Sequence, residues 1–136
     1  MNPEILDLTG IYIVYPTSPA LKSINRAEQY GTQVNDRHTK IGEAHLSFQS
    51  RRGGYLINFD QEVEFLPVAA IEPECLDHAG QLILQAVRIH YATVGHSPQW
   101  FQTAHRERII GIIADTLAGS GIQFRLLAAD LQGAAI

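Results

Sequence analysis

The stretch from Gly42 to Leu66, GEAHLSFQSRRGGYLINFDQEVEFL, decides the fold predicted for this chain. Both halves of the stretch alternate apolar and polar residues, which is the pattern of a β-strand with one buried face. Between the halves lies Arg-Arg-Gly-Gly at 51–54, and glycine adopts the positive φ of tight turns at little steric cost. The stretch therefore predicts a β-hairpin over residues 43–66.

The register of this hairpin depends on which two residues form its loop. A loop at 52–53 places His45 opposite Asp60, whereas a loop at 53–54 places His45 opposite Glu62. A slip by a single residue would bring apolar side chains to the polar face, so burial disfavours it. Both remaining registers pair His45 with a carboxylate.

This pairing makes His45 with Asp60 or Glu62 a candidate catalytic pair for a hydrolase or isomerase. A carboxylate orients an imidazole and raises its basicity, as in many general bases. The same contact on a solvated sheet is an ordinary cross-strand charge pair, and that interpretation is favoured. The nearby hydroxyl, Ser47, lies on the predicted strand and not on the sharp turn of a nucleophile elbow.

Five further elements flank the hairpin. Residues 10–15 are apolar at odd- and even-numbered positions alike, as in a strand inside a sheet. A weakly amphipathic helix is predicted at 19–30, and two long helices at about 74–93 and 103–118 have apolar residues at helical spacing. Alternation at 122–127 predicts a last strand.

The order of these elements predicts an α+β fold. The two long helices follow one another instead of alternating with strands, which favours an antiparallel or mixed sheet of about four strands with both helices on one face. The polar residues of the hairpin predict that water contacts the other face. With 136 residues, the chain is interpreted as one domain, 1–136.

Composition excludes several classes of function. A net charge of −4 argues against a protein that mainly holds a phosphate backbone, so no nucleic acid is expected as a partner. No apolar run approaches the roughly 20 residues of a membrane span, and the acidic N-terminus is unlike a signal peptide. Cys75 is the only cysteine, which suits a reducing compartment, and a cytoplasmic location is expected.

Neither a metal site nor a cofactor is predicted. The chain has six histidines, but no two of them have the spacing of three or four residues typical of metal ligands on a helix. Glu74 and His78 do have that spacing, although such a pair is usually a surface contact. A ligand set assembled from distant segments is left open. The glycines at 119 and 121 lead into a strand, so they do not form a phosphate-binding loop.

The segment 91–105 is the candidate ligand-binding region. Its aromatic residues and histidines are Tyr91, His96, Trp100, Phe101 and His105. Aromatic rings with polar tips suit the rim of a pocket between sheet and helices. The alternative, which is favoured, is that Trp100 and Phe101 close the core beneath a loop.

The absence of a strong catalytic motif favours a small non-catalytic interaction or regulatory domain. Unpaired strands at the edge of a small sheet are commonly completed by a second copy, so a homo-oligomer is expected. A protein partner or a small molecule bound near 91–105 is the alternative, and an enzyme is the least favoured hypothesis.

Overall fold

A five-stranded antiparallel sheet forms the centre of the structure. The computed structural model describes residues 3–24 and 32–127. Its helices are α1 (Pro3–Leu6), α2 (Phe48–Asn58), α3 (Pro73–Arg88) and α4 (Arg106–Ser120). Its strands are β1 (Gly10–Pro16), β2 (Lys22–Ser23), β3 (Gln33–Val34), β4 (Thr39–Ala44), β5 (Val63–Ala70), β6 (Trp100–Phe101) and β7 (Arg125–Leu126). The main sheet has the order β6-β4-β1-β5-β7, and β2 pairs with β3 separately.

Strand β1 is the central strand, and both of its faces are buried. Ile11 and Ile13 pack toward α3 and α4, whereas Tyr12 and Val14 pack toward α2. Its antiparallel neighbours are β4, with Gly10 opposite Ala44, and β5. The prediction of an interior strand at this position is confirmed.

The two long helices cover one face of the sheet, as predicted. Leu76, Ile83 and Val87 of α3 join Ile109 and Ile113 of α4 in one core, and all five are fully buried. Helix α4 ends at a left-handed Gly121, with φ of 78°. Helix α3 ends at Arg88, earlier than the predicted 93. The α+β class and the packing of the helices on one face are confirmed.

The predicted 43–66 hairpin is wrong, because its middle is a helix. Strand β4 ends at Ala44, and the Ser47 hydroxyl then caps α2 by accepting a hydrogen bond from the Ser50 backbone N–H at 3.1 Å. After α2, Asp60 and Gln61 adopt positive φ and turn the chain into β5. Strands β4 and β5 therefore lie on opposite sides of β1 instead of pairing with each other.

Helix α2 also changes what covers the second face of the sheet. Phe48 is fully buried there with Phe59, which follows the helix, and Tyr55 packs against the same core. The expectation that water contacts this face is wrong, since Phe48, Tyr55 and Phe59 recur at i, i+7 and i+11 and form the apolar stripe of a helix. Apolar residues of α2 fit a period of two as well as the period of a helix, which is why this part of the sequence resembles a strand.

Two smaller differences remain between the predicted and the observed elements. Residues 19–24 contain strand β2 instead of the start of a helix, and the rest of the predicted 19–30 helix lies outside the described residues. The last strand is limited to β7, which pairs with Ala69 and Ala70 of β5. Among the helices described, none has the length and apolar character needed to cross a membrane.

Candidate functional site

Three adjoining clefts lie along the outer side of β4, and Lys40 lines all of them. Their volumes are about 460, 260 and 130 Å³. Lys40, Ile24, Arg51 and Gln99 are each shared by at least two clefts, so we treat the three as one feature, the β4 groove. The largest cleft lies between Lys40 of β4 and helix α2, which supplies most of its lining, and β6 pairs with Thr39 and Lys40 beside it.

The largest cleft of the groove is basic. Lys40, Ser50, Arg51, Tyr55 and Asn58 contribute its polar side chains, and Ile24 and Ile57 its large apolar ones. No acidic residue is among the described residues that line it. The Lys40 ammonium lies 5.0 Å from the centre of the Tyr55 ring, a cation–π contact that holds the lysine over the groove.

A pair of tyrosines lies beneath these cations. The hydroxyl groups of Tyr12 and Tyr55 are 2.8 Å apart and share a hydrogen bond. The Tyr12 ring occupies the space that a side chain at Gly42 would need, so glycine at this position allows the ring to lie across β4. Burial raises the pKa of Tyr12 and that of Tyr55 above the ordinary tyrosine value.

This tyrosine pair predicts a loss of stability at high pH. The folded protein retains phenol protons that the unfolded chain releases near pH 10, so the stabilisation is complete below about pH 10 and is lost as the pH rises further. Urea unfolding at several pH values between 8 and 11 measures this loss. The double variant Tyr12→Phe/Tyr55→Phe should show a shallower decline over this range, and an unchanged decline would contradict the assignment.

At the smallest cleft of the groove, Glu43 of β4 and His45, which directly follows β4, lie close to Asp77 of α3. The His45 Nε2 atom lies 3.5 Å from Asp77 Oδ1 and 3.9 Å from Glu43 Oε2. One ligand atom from each of the three residues lies within 4.8 Å of the other two. We call these three residues the Glu43 cluster. It can hold an imidazolium between two carboxylates, or it can offer one nitrogen and two oxygen ligands to a cation.

Glu43 is the most enclosed member of this cluster. Its carboxylate lies against Gly80 of α3, where any side chain would occupy the same space. Burial raises the pKa of the Glu43 carboxyl, while His45 opposes the shift. Its Oε1 atom is buried and has no hydrogen-bond partner among the described residues. A buried acceptor without a partner costs about 1 to 3 kcal/mol.

The predicted pairing of His45 with Asp60 or Glu62 is wrong. His45 follows the end of β4 that pairs with Gly10, whereas Glu62 lies near Pro16 at the other end of β1, roughly 20 Å away at the rise of a strand. Asp60 and Glu62 pair instead with the Lys22 ammonium, at 3.3 and 3.8 Å. The cause is helix α2, which replaces the predicted hairpin and separates the two segments.

The structure divides the 91–105 segment between two places. His96 and Trp100 line the 260 Å³ cleft of the groove, although the Trp100 side chain is only 1% exposed. Phe101 points to the opposite face of the sheet and is buried in the core beneath α3 and α4. Tyr91 and His105 contact each other, with ring centres 6.5 Å apart, and neither lines the groove.

Sequence reasoning missed Lys40 and Arg51, the two cations of the groove. A signal for Lys40 is its place in a mainly buried strand, Thr39–Ala44, in which only Lys40 and Glu43 carry charge. The predicted hairpin places Arg51 at its turn, where a charge is usually solvated.

No protein-family model matches the chain, and searches of curated proteins and of solved structures find no match.

Proposed function

We propose that the protein is a small non-catalytic binding domain that takes up an anionic small molecule in the β4 groove. The observation that supports this proposal is the 460 Å³ cleft, lined by Lys40 and Arg51 without a described acidic residue. On a chain with a net charge of −4, two cations facing one cleft favour a negatively charged ligand locally. Its volume falls within the roughly 300 to 1,000 Å³ of small-molecule sites.

The side chains of the cleft define the class of ligand. Arg51 supplies the planar donor fork that matches a carboxylate or a phosphate, and Lys40 supplies a point charge. Ser50 and Asn58 add polar groups, while Ile24 and Ile57 offer apolar surface at the same cleft. We therefore favour a carboxylate- or phosphate-bearing metabolite with an apolar portion.

A regulatory role fits this proposal better than catalysis does. Neither of the two residue pairs predicted for His45 is formed, and Ser47 serves as the cap of α2. We also propose that the domain acts as a homo-oligomer, because the outer edges of β4 and β5 are only partly paired by β6 and β7. A cytoplasmic location is part of the same proposal, since the single cysteine suits a reducing compartment.

Two variants on one helix test the groove. Arg51→Ala should weaken binding of an anionic ligand at least about tenfold, because a hydrogen bond to a charged group contributes about 1.5 to 3 kcal/mol. Arg52→Ala removes the same charge one residue further along α2, outside the residues that line the groove, and should change affinity less than twofold.

Native mass spectrometry of the purified protein identifies a bound metabolite and the number of chains. Titration with citrate and with pyrophosphate, followed calorimetrically, provides defined probes.

The outcomes of this comparison separate the two parts of the proposal. Equal affinities of the Arg51→Ala and Arg52→Ala variants would contradict the groove as the ligand site. A spectrum that contains only single chains at micromolar concentration would contradict the homo-oligomer, whatever the result for the ligand.

A further inference from the structure

We propose that Glu43, His45 and Asp77 form a binding site for a divalent transition-metal ion, with Zn²⁺ as the best-matched ion. The three residues come from two elements, the β4 segment and the first turns of α3, and are brought together by the packing of α3 against β4. An imidazole nitrogen with two carboxylate oxygens is a ligand set that zinc accepts. The site does not depend on the anionic ligand proposed above.

The distances in the cluster are close to those of a zinc centre. Zinc binds nitrogen and carboxylate oxygen at about 2.0 to 2.2 Å, which places tetrahedral ligands about 3.4 Å apart. The His45 Nε2 atom is already 3.5 Å from Asp77 Oδ1 and 3.9 Å from Glu43 Oε2. The two carboxylate ligand atoms lie within 4.8 Å of each other, so side-chain movements of about 1 Å would bring all three ligand atoms to zinc distances.

Glu43 provides an observation that is independent of these distances. Its Oε1 atom is buried beside Gly80 without a hydrogen-bond partner in the described structure, while Oε2 is the oxygen that faces His45. A cation at Oε2 would offset the cost of burying the charge of this carboxylate. Gly80 gives this carboxylate its space on the surface of α3. A glycine in the middle of a helix costs about 1 kcal/mol relative to alanine, and here it leaves room for the carboxylate.

Three protein ligands leave a fourth position of the metal for water or another ligand. Glu43 and His45 also line the 130 Å³ cleft with Tyr12, Arg51 and Gln99, so this position is next to the β4 groove. Catalytic zinc sites have three protein ligands and keep the fourth position for water or substrate. The metal therefore lies where it could contact an occupant of the groove.

Calorimetric titration of the full chain with zinc chloride, after dialysis against a chelator, tests the site. We expect one Zn²⁺ per chain, and Co²⁺ in its place should give the visible absorption of a tetrahedral centre. His45→Gln and Asp77→Asn should each weaken zinc binding at least about tenfold. Loss of a residue that only supports a metal ligand typically weakens metal binding by this factor, and loss of the ligand itself should weaken it at least as much. Circular dichroism verifies folding, and Glu43→Gln replaces any variant that does not fold.

Matched controls lie on the same helix. His78→Gln and Glu74→Gln remove an exposed imidazole and an exposed carboxylate of α3 that are outside the cluster, so both should bind zinc like the unmodified protein. Failure of zinc to bind saturably would overturn the proposal. Equal affinities of the His45→Gln and His78→Gln variants would also overturn it, because the ion would then bind elsewhere.

A glycine comparison tests the same site without removing a ligand. Gly80→Ala places a methyl group where the Glu43 carboxylate lies, so zinc affinity should fall at least about tenfold while α3 remains folded. Gly111→Ala introduces the same methyl group into open space on α4 and should leave zinc affinity unchanged. Unchanged affinity in Gly80→Ala would show that Glu43 does not hold the ion.

Discussion

Replacement of Trp100 by alanine is expected to lower the free energy of unfolding by about 3 to 5 kcal/mol. The side chain is 1% exposed and packs with Phe59, their ring centres lying 6.2 Å apart. Its removal leaves a large cavity between β6 and the residue that follows α2, because neighbouring side chains relax only partially. Urea unfolding followed by circular dichroism measures the change.

Two comparisons identify the reason for this loss. Leu46→Ala removes an apolar side chain that is 84% exposed and should change the free energy of unfolding by no more than about 0.5 kcal/mol. Trp100→Phe retains most of the packing and removes an indole N–H that has no partner among the described residues, so it should be milder than Trp100→Ala. A Trp100→Ala variant of unchanged stability that no longer binds ligand would show instead that the ring is part of the groove's rim.

The elements that sequence reasoning predicted correctly are those with one consistent apolar pattern. Strand β1 is apolar at every position from Ile11 to Tyr15, which is typical of a strand inside a sheet. Helices α3 and α4 have long apolar stripes, so their class and their shared face could be predicted. The end of α3 could not, because Ile89 is apolar in sequence but 80% exposed in the structure.

Helix α2 could not be predicted because local propensity and tertiary packing disagree there. Gly53 and Gly54 each cost a helix about 1 kcal/mol relative to alanine, and beside two arginines they resemble a hairpin turn. Packing of Phe48 and Tyr55 against the sheet offsets that cost. The available signal was Ser47, a favoured N-cap residue that precedes a phenylalanine at the first helical position.

The site was only partly visible in the sequence for a related reason. The sequence places His45 beside a carboxylate, but the partners that it predicts depend on the hairpin. Its actual neighbour Asp77 lies 32 residues further along the chain, on α3, and only the packing of α3 against β4 brings the two together. The same holds for Arg51, whose position beside Lys40 depends entirely on α2.

Gly10→Ala is the second substitution expected to have a large effect, about 3 kcal/mol of lost stability or somewhat more. A Cβ atom at this position would overlap the carbonyl oxygen of Ala69 and would lie 2.9 Å from Cζ of Phe48. Backbone atoms of β5 cannot move aside as a flexible side chain does, because β5 is hydrogen-bonded to β1 along its length. The added methyl group must therefore displace two strands or the ring that anchors α2.

The contrast with Gly53→Ala shows that the effect depends on the site and not on glycine itself. At Gly53 an added Cβ meets nothing within 4 Å, and alanine is the better helix former, so stability should rise by up to about 1 kcal/mol. Denaturant midpoints of the two variants should thus move in opposite directions.

A Gly10→Ala variant as stable as the unmodified protein would contradict the close packing of β1, β5 and α2 on the second face of the sheet. Since Phe48 anchors the helix that carries Tyr55, the Gly10→Ala variant should in addition expose the tyrosine pair more to water and show a smaller loss of stability above about pH 10.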